Sequence, residues 1–291
     1  MKAPRFRYLR PPDLQSAMQA LAAGGTALAG GQSLLPALNM RAAQPDLLVD
    51  ISRLAELRGV TDAGSAIRIG AATRHAEVMN DAAVLRHVPL LPRALDLVAH
   101  VAIRNRGTLG GSLALADPAA ELPACAVVLD AAIHLVGPSG RRTVAATDFF
   151  TGTMATVLVA GELIEAVSFP KAGPLSVWAL DELSRRRGDY ALAGVAVSGE
   201  FRQGVLHDMR IAYFGCASTG RLAGRVARAV QGVRLPLDAA AAKALDDAVA
   251  SDIDPDSTPG CSAATRLRMA QVLTRRVVNG LSDGRPKEAV Q

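Results

Sequence analysis

ALAGGQSLLPALNM, residues 27–40, is the stretch that decides the fold, and RNRGTLGGSLALA, residues 104–116, answers it. Each holds an adjacent glycine pair, Gly30-Gly31 and Gly110-Gly111, with small hydroxyl residues beside it. Glycine pairs let the backbone take positive φ and approach a ligand with no Cβ in the way. Successive N–H groups in such turns converge into a nest for phosphate oxygens. In the first segment an apolar strand over 27–29 leads into the glycines and a helix over 34–40 leaves them. The positive end of that helix then faces the same anion. Two such loops predict one long, doubly phosphorylated cofactor gripped between them.

Outward from these loops, the pattern predicts a strand over 6–9 and a helix over 13–23 capped by Asp13, with Leu14, Ala17, Met18 and Leu21 on one face. A buried strand over 47–51 completes a first lobe over 1–55. A second lobe, 56–173, is predicted to hold strands over 67–71, 132–136 and 163–169. Its helices are placed over 73–79, 89–98 and from Pro118 to about Leu129. Lys171-Ala172-Gly173-Pro174 reads as a linker. Beyond it come strands over 176–180, 192–200 and 205–214, then helices over 221–231, 237–249 and 263–278. Strands in a run followed by helices in a run predict an α+β unit over 174–280, with a frayed tail over 281–291.

Composition narrows the function. Half of the 291 residues are hydrophobic, enough for two or three small cores, and aromatics are only 3%, so those cores are built of Ala, Val and Leu. The net charge of +5 rests on dispersed arginines without stacking aromatics, which argues against a nucleic-acid partner. The Arg185-Arg186-Arg187 run reads as a solvated face. Cys125, Cys216 and Cys261 match neither a disulfide framework nor a metal motif. No window approaches a membrane span, the basic N-terminus lacks the apolar stretch of a secretory signal, and a cytoplasmic location is expected. Neither loop has the G-x-G-x-x-G fingerprint or a Walker lysine, which disfavours Rossmann and P-loop readings.

Three segments resemble a known family in order and spacing: AGGQSLLPALNMR (29–41), IRNRGTLGGSLALADPAAELPA (103–124) and ELSRRRGDYALAGVAV (182–197). The resemblance is to the FAD-binding subunit of the molybdenum hydroxylases, the xanthine dehydrogenase and carbon monoxide dehydrogenase family. It runs from FRYLRPPDLQSAMQAL (6–21) to the final helix. It implies a two-lobed FAD-binding domain of the vanillyl-alcohol oxidase/PCMH type, followed by an α/β C-terminal domain of sheet plus helices. It implies non-covalent FAD, with molybdopterin on a large partner chain and two [2Fe–2S] clusters on a small one. The implied assembly is a heterotrimer or a dimer of heterotrimers. The implied role is to accept electrons from the clusters and pass them to an external acceptor.

By the same resemblance, Ala29, Gly30, Gly31, Gln32 and Ser33 match the first pyrophosphate loop, continued by Leu34, Leu35 and Pro36. Thr108, Leu109, Gly110, Gly111 and Ser112 match the second. Ala99 lines the flavin site, Glu121 stands where relatives carry Asp or Glu, and Ile164 packs near the adenine. Asp189 and Tyr190 are brought against the ring. On the residues alone, Tyr190 is either a stacking ring or a core tyrosine opening a strand, and Glu121 is either a cofactor neighbour or a helix-dipole acid. Glu182 stands where relatives commonly carry lysine. No catalytic acid, base or metal ligand is expected. Two other readings are a stand-alone flavin oxidase or reductase of the same fold, and a scaffold subunit without cofactor.

Overall fold

The computed structural model describes residues 2–283. The chain opens with β1 (Arg7–Leu9), α1 (Leu14–Ala22), β2 (Thr26–Leu28), α2 (Leu34–Asn39) and β3 (Leu47–Asp50). The strands form a parallel sheet in the order β1-β3-β2, and parallel neighbours require the helical crossovers that α1 and α2 supply. α1 starts where the Asp13 carboxylate accepts the Ser16 N–H at 2.7 Å, and it buries Leu14, Ala17 and Leu21 on one face.

The second lobe contains β4 (Val60–Asp62), β5 (Ala66–Gly70), α3 (His75–Asn80), α4 (Ala82–His87), α5 (Leu90–Leu97), α6 (Val101–Arg104), α7 (Leu109–Leu115) and α8 (Glu121–Val128). Then come β6 (Ala132–Gly137), β7 (Gly140–Ala145), α9 (Ala146–Phe149), β8 (Phe150–Gly152), β9 (Ala155–Thr156) and β10 (Leu163–Pro170). Its main sheet is antiparallel, ordered β4-β5-β10-β6-β7. Every residue of α8 is buried, as expected of a helix apolar nearly all round. The two lobes share one small core in which Leu14, Ala17 and Val49 meet Leu57, Ala72, Val136 and Leu163. That shared core holds the two glycine segments in a set relation.

The C-terminal unit is the meander β11 (Ser176–Leu183), β12 (Ala193–Arg202) and β13 (Val205–Phe214), followed by α10 (Gly224–Val230), α11 (Ala239–Asp252) and α12 (Ala263–Gly280). Strand alternation sends Val195, Val197, Ile211 and Tyr213 toward these helices, and Trp178, Leu180, Ala196, Ala212 and Phe214 toward the second lobe. The sheet is therefore covered on both faces. Arg210 fastens it to α8: its guanidinium donates to the Val127 carbonyl at 3.0 Å and to Asp130 at 2.8 Å. A cation on the last carbonyls of a buried helix also opposes the helix dipole. Arg210→Ala is expected to cost about 1–2 kcal/mol, read as a lowered denaturation midpoint.

The expected α+β class, the lobe strands and the C-terminal strand and helix runs are present. The structure corrects three local expectations. The second glycine segment is not a loop: Gly110 and Gly111 lie in the first turn of α7. The helix expected from Pro118 begins at Glu121, because 117–120 form a turn in which the Asp117 carboxylate accepts the Ala119 N–H at 2.8 Å. β4, β7, the β8-β9 pair, α4, α6 and α9 were not foreseen. Of the expected tail, Leu281–Asp283 forms a short 3-10 turn and 284–291 lies outside the described residues.

Candidate functional site

β2 delivers the chain to the first glycine pair. Gly31 has φ +74°, and α2 starts three residues later with Ser33 as its cap residue. The helix takes up the Gly31 and Ser33 carbonyls through the N–H groups of Leu35 and Ala37, at 3.0 and 3.2 Å. Among the described residues, the N–H groups of Gly31, Gln32 and Ser33 have no acceptor. Ser33, Leu35 and Pro36 are exposed, Leu34 is half-buried, and the Gln32 amide donates back to the Gly30 carbonyl at 3.2 Å. Free donors in an open turn beside a helix start suit an anion.

The second pair works differently. Segment 71–75 runs against 107–110: His75 N–H to Gly107 O is 2.9 Å, Leu109 N–H to Thr73 O is 3.1 Å, and Gly110 N–H to Ala71 O is 2.8 Å. Thr108, 4% exposed, caps α7 by accepting the Gly111 N–H at 3.2 Å. These donors are already engaged, so this segment offers bare surface rather than a nest. A Cβ on Gly110 would lie 2.9 Å from the Ala71 carbonyl oxygen, so that glycine serves packing. Gly111 is exposed and Ser112, half-buried, carries a hydroxyl with no hydrogen-bond partner among the described residues.

The two segments touch. A Cβ on Gly30 would stand 2.8 Å from Gly107 Cα and closer still to the Arg106 carbonyl oxygen, and one on Gly111 would face the Ala29 methyl at 3.9 Å. From Gly111, α7 runs roughly 8 Å, at 1.5 Å per residue, to Ala116 and the Asp117 turn. A second cluster gathers there. Ala99 (φ +45°) has its carbonyl held by Arg104 Nη1 at 2.9 Å. Gly188 (φ +84°) lies against that same carbonyl, where a Cβ would stand 2.7 Å away, and Arg187 pairs with Asp96 at 2.8 Å. Segment 184–190 of the C-terminal unit is thereby pressed onto the second lobe.

This contact places Tyr190, 68% exposed, near Asp117 and Glu121, and partial burial plus both carboxylates raise its phenol pKa. Asp189 is exposed in the turn closed by its own N–H on the Arg186 carbonyl, at 3.0 Å. Glu121, 8% exposed at the first residue of α8, is pushed up to about 7 by burial, with Asp117 adding to the effect. Leu109 is 1% exposed and packs in the second-lobe core. Ile164 stands apart, 4% exposed in the same core beside a bulge in β10. Among the described residues no group of His, Cys, Asp and Glu could hold a metal ion, and no helix is long and apolar enough to cross a membrane.

Comparison with known proteins decides the family. Residues 4–172 match the model of the FAD-binding domain in molybdopterin dehydrogenase, and residues 178–281 match that of the CO dehydrogenase flavoprotein C-terminal domain. The chain belongs to the FAD-binding medium subunits of the molybdenum hydroxylases. The glyceraldehyde dehydrogenase medium chain of Sulfolobus acidocaldarius is 36% identical over 95% of this chain and 98% of its own. The crystal structure of quinoline 2-oxidoreductase from Pseudomonas putida 86 superposes with TM-score 0.92 at 37% identity, covering 98% of this chain and 99% of that one. Carbon monoxide dehydrogenase from Hydrogenophaga pseudoflava gives 0.92 at 36%, covering 97% and 98%. As in these medium chains, the activity is that of an oxidoreductase subunit and the cofactor is FAD.

The residues present fit that cofactor. The free N–H groups at 31–33 suit a pyrophosphate, the bare backbone at Gly111 admits it closely, and the exposed Tyr190 ring can cover a flat ring system. Sequence reasoning missed Arg104 and Asp117 in this medium subunit. Arg104 orients Ala99, and Asp117 shapes the turn before Glu121. Both lie inside the quoted 103–124 motif, and the Asp-Pro pair was the available signal for the second.

Proposed function

We propose that this chain is the electron-accepting flavoprotein subunit of a cytoplasmic molybdenum hydroxylase. It would take reducing equivalents from two [2Fe–2S] clusters on a small partner chain, fed by a large molybdopterin chain, and pass them to an external acceptor. The assembly is a heterotrimer or a dimer of heterotrimers, and the units 1–55, 56–173 and 174–280 are its two FAD lobes and C-terminal domain. The redox chemistry is that of the bound flavin. The chain's residues bind and orient it: 29–36 and 108–112 at the pyrophosphate, Ala99 lining the flavin site, Glu121 close to the cofactor, Asp189 and Tyr190 against the ring, and Ile164 packed near the adenine end.

The close approach of Gly30 to Arg106 and Gly107, on segments from separate lobes, carries this reading. The test is co-expression with a small iron–sulfur chain and a large molybdopterin chain of the kind this reading requires. One FAD per chain and copurification of all three are expected, with flavin bleaching on substrate addition only when the partners are present. Substrate turnover by this chain alone would favour a stand-alone flavoenzyme. A chain that takes up no FAD would favour a scaffold.

A further inference from the structure

The turn that leads from α7 to α8 is held in place by the C-terminal unit. Ala116, which ends α7, is buried and left-handed, with φ 52° and ψ 41°. An alanine stays in that crowded region only where its surroundings enforce it. The Ala116 carbonyl accepts two donors. One is the Met154 N–H of the β8–β9 turn, at 3.0 Å. The other is the hydroxyl of Thr219, on the segment between β13 and α10, at 2.7 Å. Thr219 is itself 2% exposed. Four residues before it, the Gly215 N–H donates to the Pro118 carbonyl at 2.7 Å. Asp117 therefore sits between two residues whose carbonyls are both taken by segment 215–219. Gly215 has φ +74° and also lies against Ala191, where a Cβ would stand 2.9 Å from the carbonyl carbon and 3.1 Å from the Ala191 methyl. Ala191 directly follows Tyr190. One short segment thus grips both the turn of the second lobe and the end of segment 184–190. Gly220, with φ +60°, seats it on β8, since a Cβ there would be driven into the Phe150 ring.

We propose that Thr219 is a positioning residue for the flavin: with Gly215 it clasps the 116–118 turn to the Tyr190–Ala191 segment and so sets the wall of the FAD site that these two strips of chain form. The inference rests on FAD binding at this site and adds a determinant that does not touch the cofactor. Without the hydroxyl, the Ala116 carbonyl keeps the Met154 N–H, so no buried acceptor is orphaned and the fold survives. What is lost is the tie that holds Ala116 left-handed. The turn then relaxes, and Asp117 moves with it. Its carboxylate, which accepts the Ala119 N–H at 2.8 Å, sets the approach to Glu121. The stiff β-branched side chain of threonine aims the hydroxyl, and serine keeps the donor.

The experiment titrates the full apo chain with FAD, reading affinity, the fluorescence of the bound flavin and the denaturation midpoint. Thr219→Val keeps the shape and removes the donor. It is expected to weaken FAD roughly fivefold and to brighten the bound flavin as Tyr190 shifts, whereas Thr219→Ser restores both readings. Ala116→Gly supplies a residue that takes the left-handed region unaided, so Thr219→Val should cost less affinity in that background. Thr274→Val is the matched control for a merely structural hydroxyl. Thr274 is 0% exposed, and its hydroxyl bonds Tyr213 and the Ala270 carbonyl, each at 2.7 Å. It should lower the midpoint and leave the flavin readings unchanged. Circular dichroism checks folding, and Gly215→Ala, which breaks the other arm of the clasp, carries the test if Thr219→Val does not fold. A lowered midpoint with unchanged flavin affinity and fluorescence, or no rescue by serine, would overturn the clasp while leaving FAD binding intact. A wild-type chain that takes up no FAD would overturn both.

Discussion

Gly30→Val is expected to empty the FAD site while the chain stays folded. The position is buried, and a Cβ there would meet Gly107 Cα at 2.8 Å and the Arg106 carbonyl oxygen closer still. Both obstacles are backbone, so the side chain cannot be accommodated by a rotamer change. The first turn must retreat from the second, and overpacking of this kind costs about 1–3 kcal/mol. A pyrophosphate bridging the two turns loses one set of partners outright. The expected rise in FAD Kd is at least ~100-fold, or about 2.8 kcal/mol, measured by flavin retained after gel filtration and by titration of the apo chain. Gly64→Asn is the control: φ there is +80°, a Cβ would meet open space, and asparagine tolerates the left-handed region. It should keep full flavin content.

The second large effect is Gly188→Val. The residue has φ +84°, where a β-branched side chain is strained by roughly 1–2 kcal/mol, and its Cβ would stand 2.7 Å from the Ala99 carbonyl oxygen. That oxygen cannot yield freely, because Arg104 holds it at 2.9 Å. Segment 184–190 must lift, taking Asp189 and Tyr190 with it. Tyr190→Ala removes only an aromatic contact, worth about 0.5–1.5 kcal/mol. Gly188→Val should exceed it, with FAD roughly tenfold weaker or worse and brighter flavin fluorescence as the quenching ring withdraws. Unchanged affinity and fluorescence would mean that the segment does not cover the flavin.

The parts of the fold written in local pattern were legible. The helical spacing of Leu14, Ala17 and Leu21 and the Asp13 cap gave α1 almost to the residue. The continuous apolar run at 193–197 gave a strand, and its cause is now visible as a sheet packed on both faces. α7 was hidden because glycine disfavours helix by about 1 kcal/mol relative to alanine. Here tertiary demand overrides propensity at Gly110, which must clear Ala71, and at Gly111 a Cβ would stand 2.7 Å from the capping Thr108 Oγ1. α4 had a signal that went unused, since Asp81 accepts the N–H groups of Ala83 and Val84 at 2.9 and 3.1 Å.

At the site, the sequence pointed to two equivalent phosphate nests. The structure shows one turn with free donors and one helix start whose donors are engaged by segment 71–75. That difference lies in long-range pairing, which no local window reveals. Glu182 was noticed only as a replacement for lysine. Its place on the second-lobe face became visible once β11 proved to extend to Leu183, three residues beyond its expected end, so that alternation could be followed through Trp178 and Leu180.

The most direct test of the central claim is a structure of the FAD-loaded chain, read at the pyrophosphate. The account predicts phosphate oxygens within hydrogen-bond distance of the Gly31–Ser33 N–H groups and in van der Waals contact with Gly111. A pyrophosphate lying away from either glycine segment, with both turns facing solvent, would contradict it.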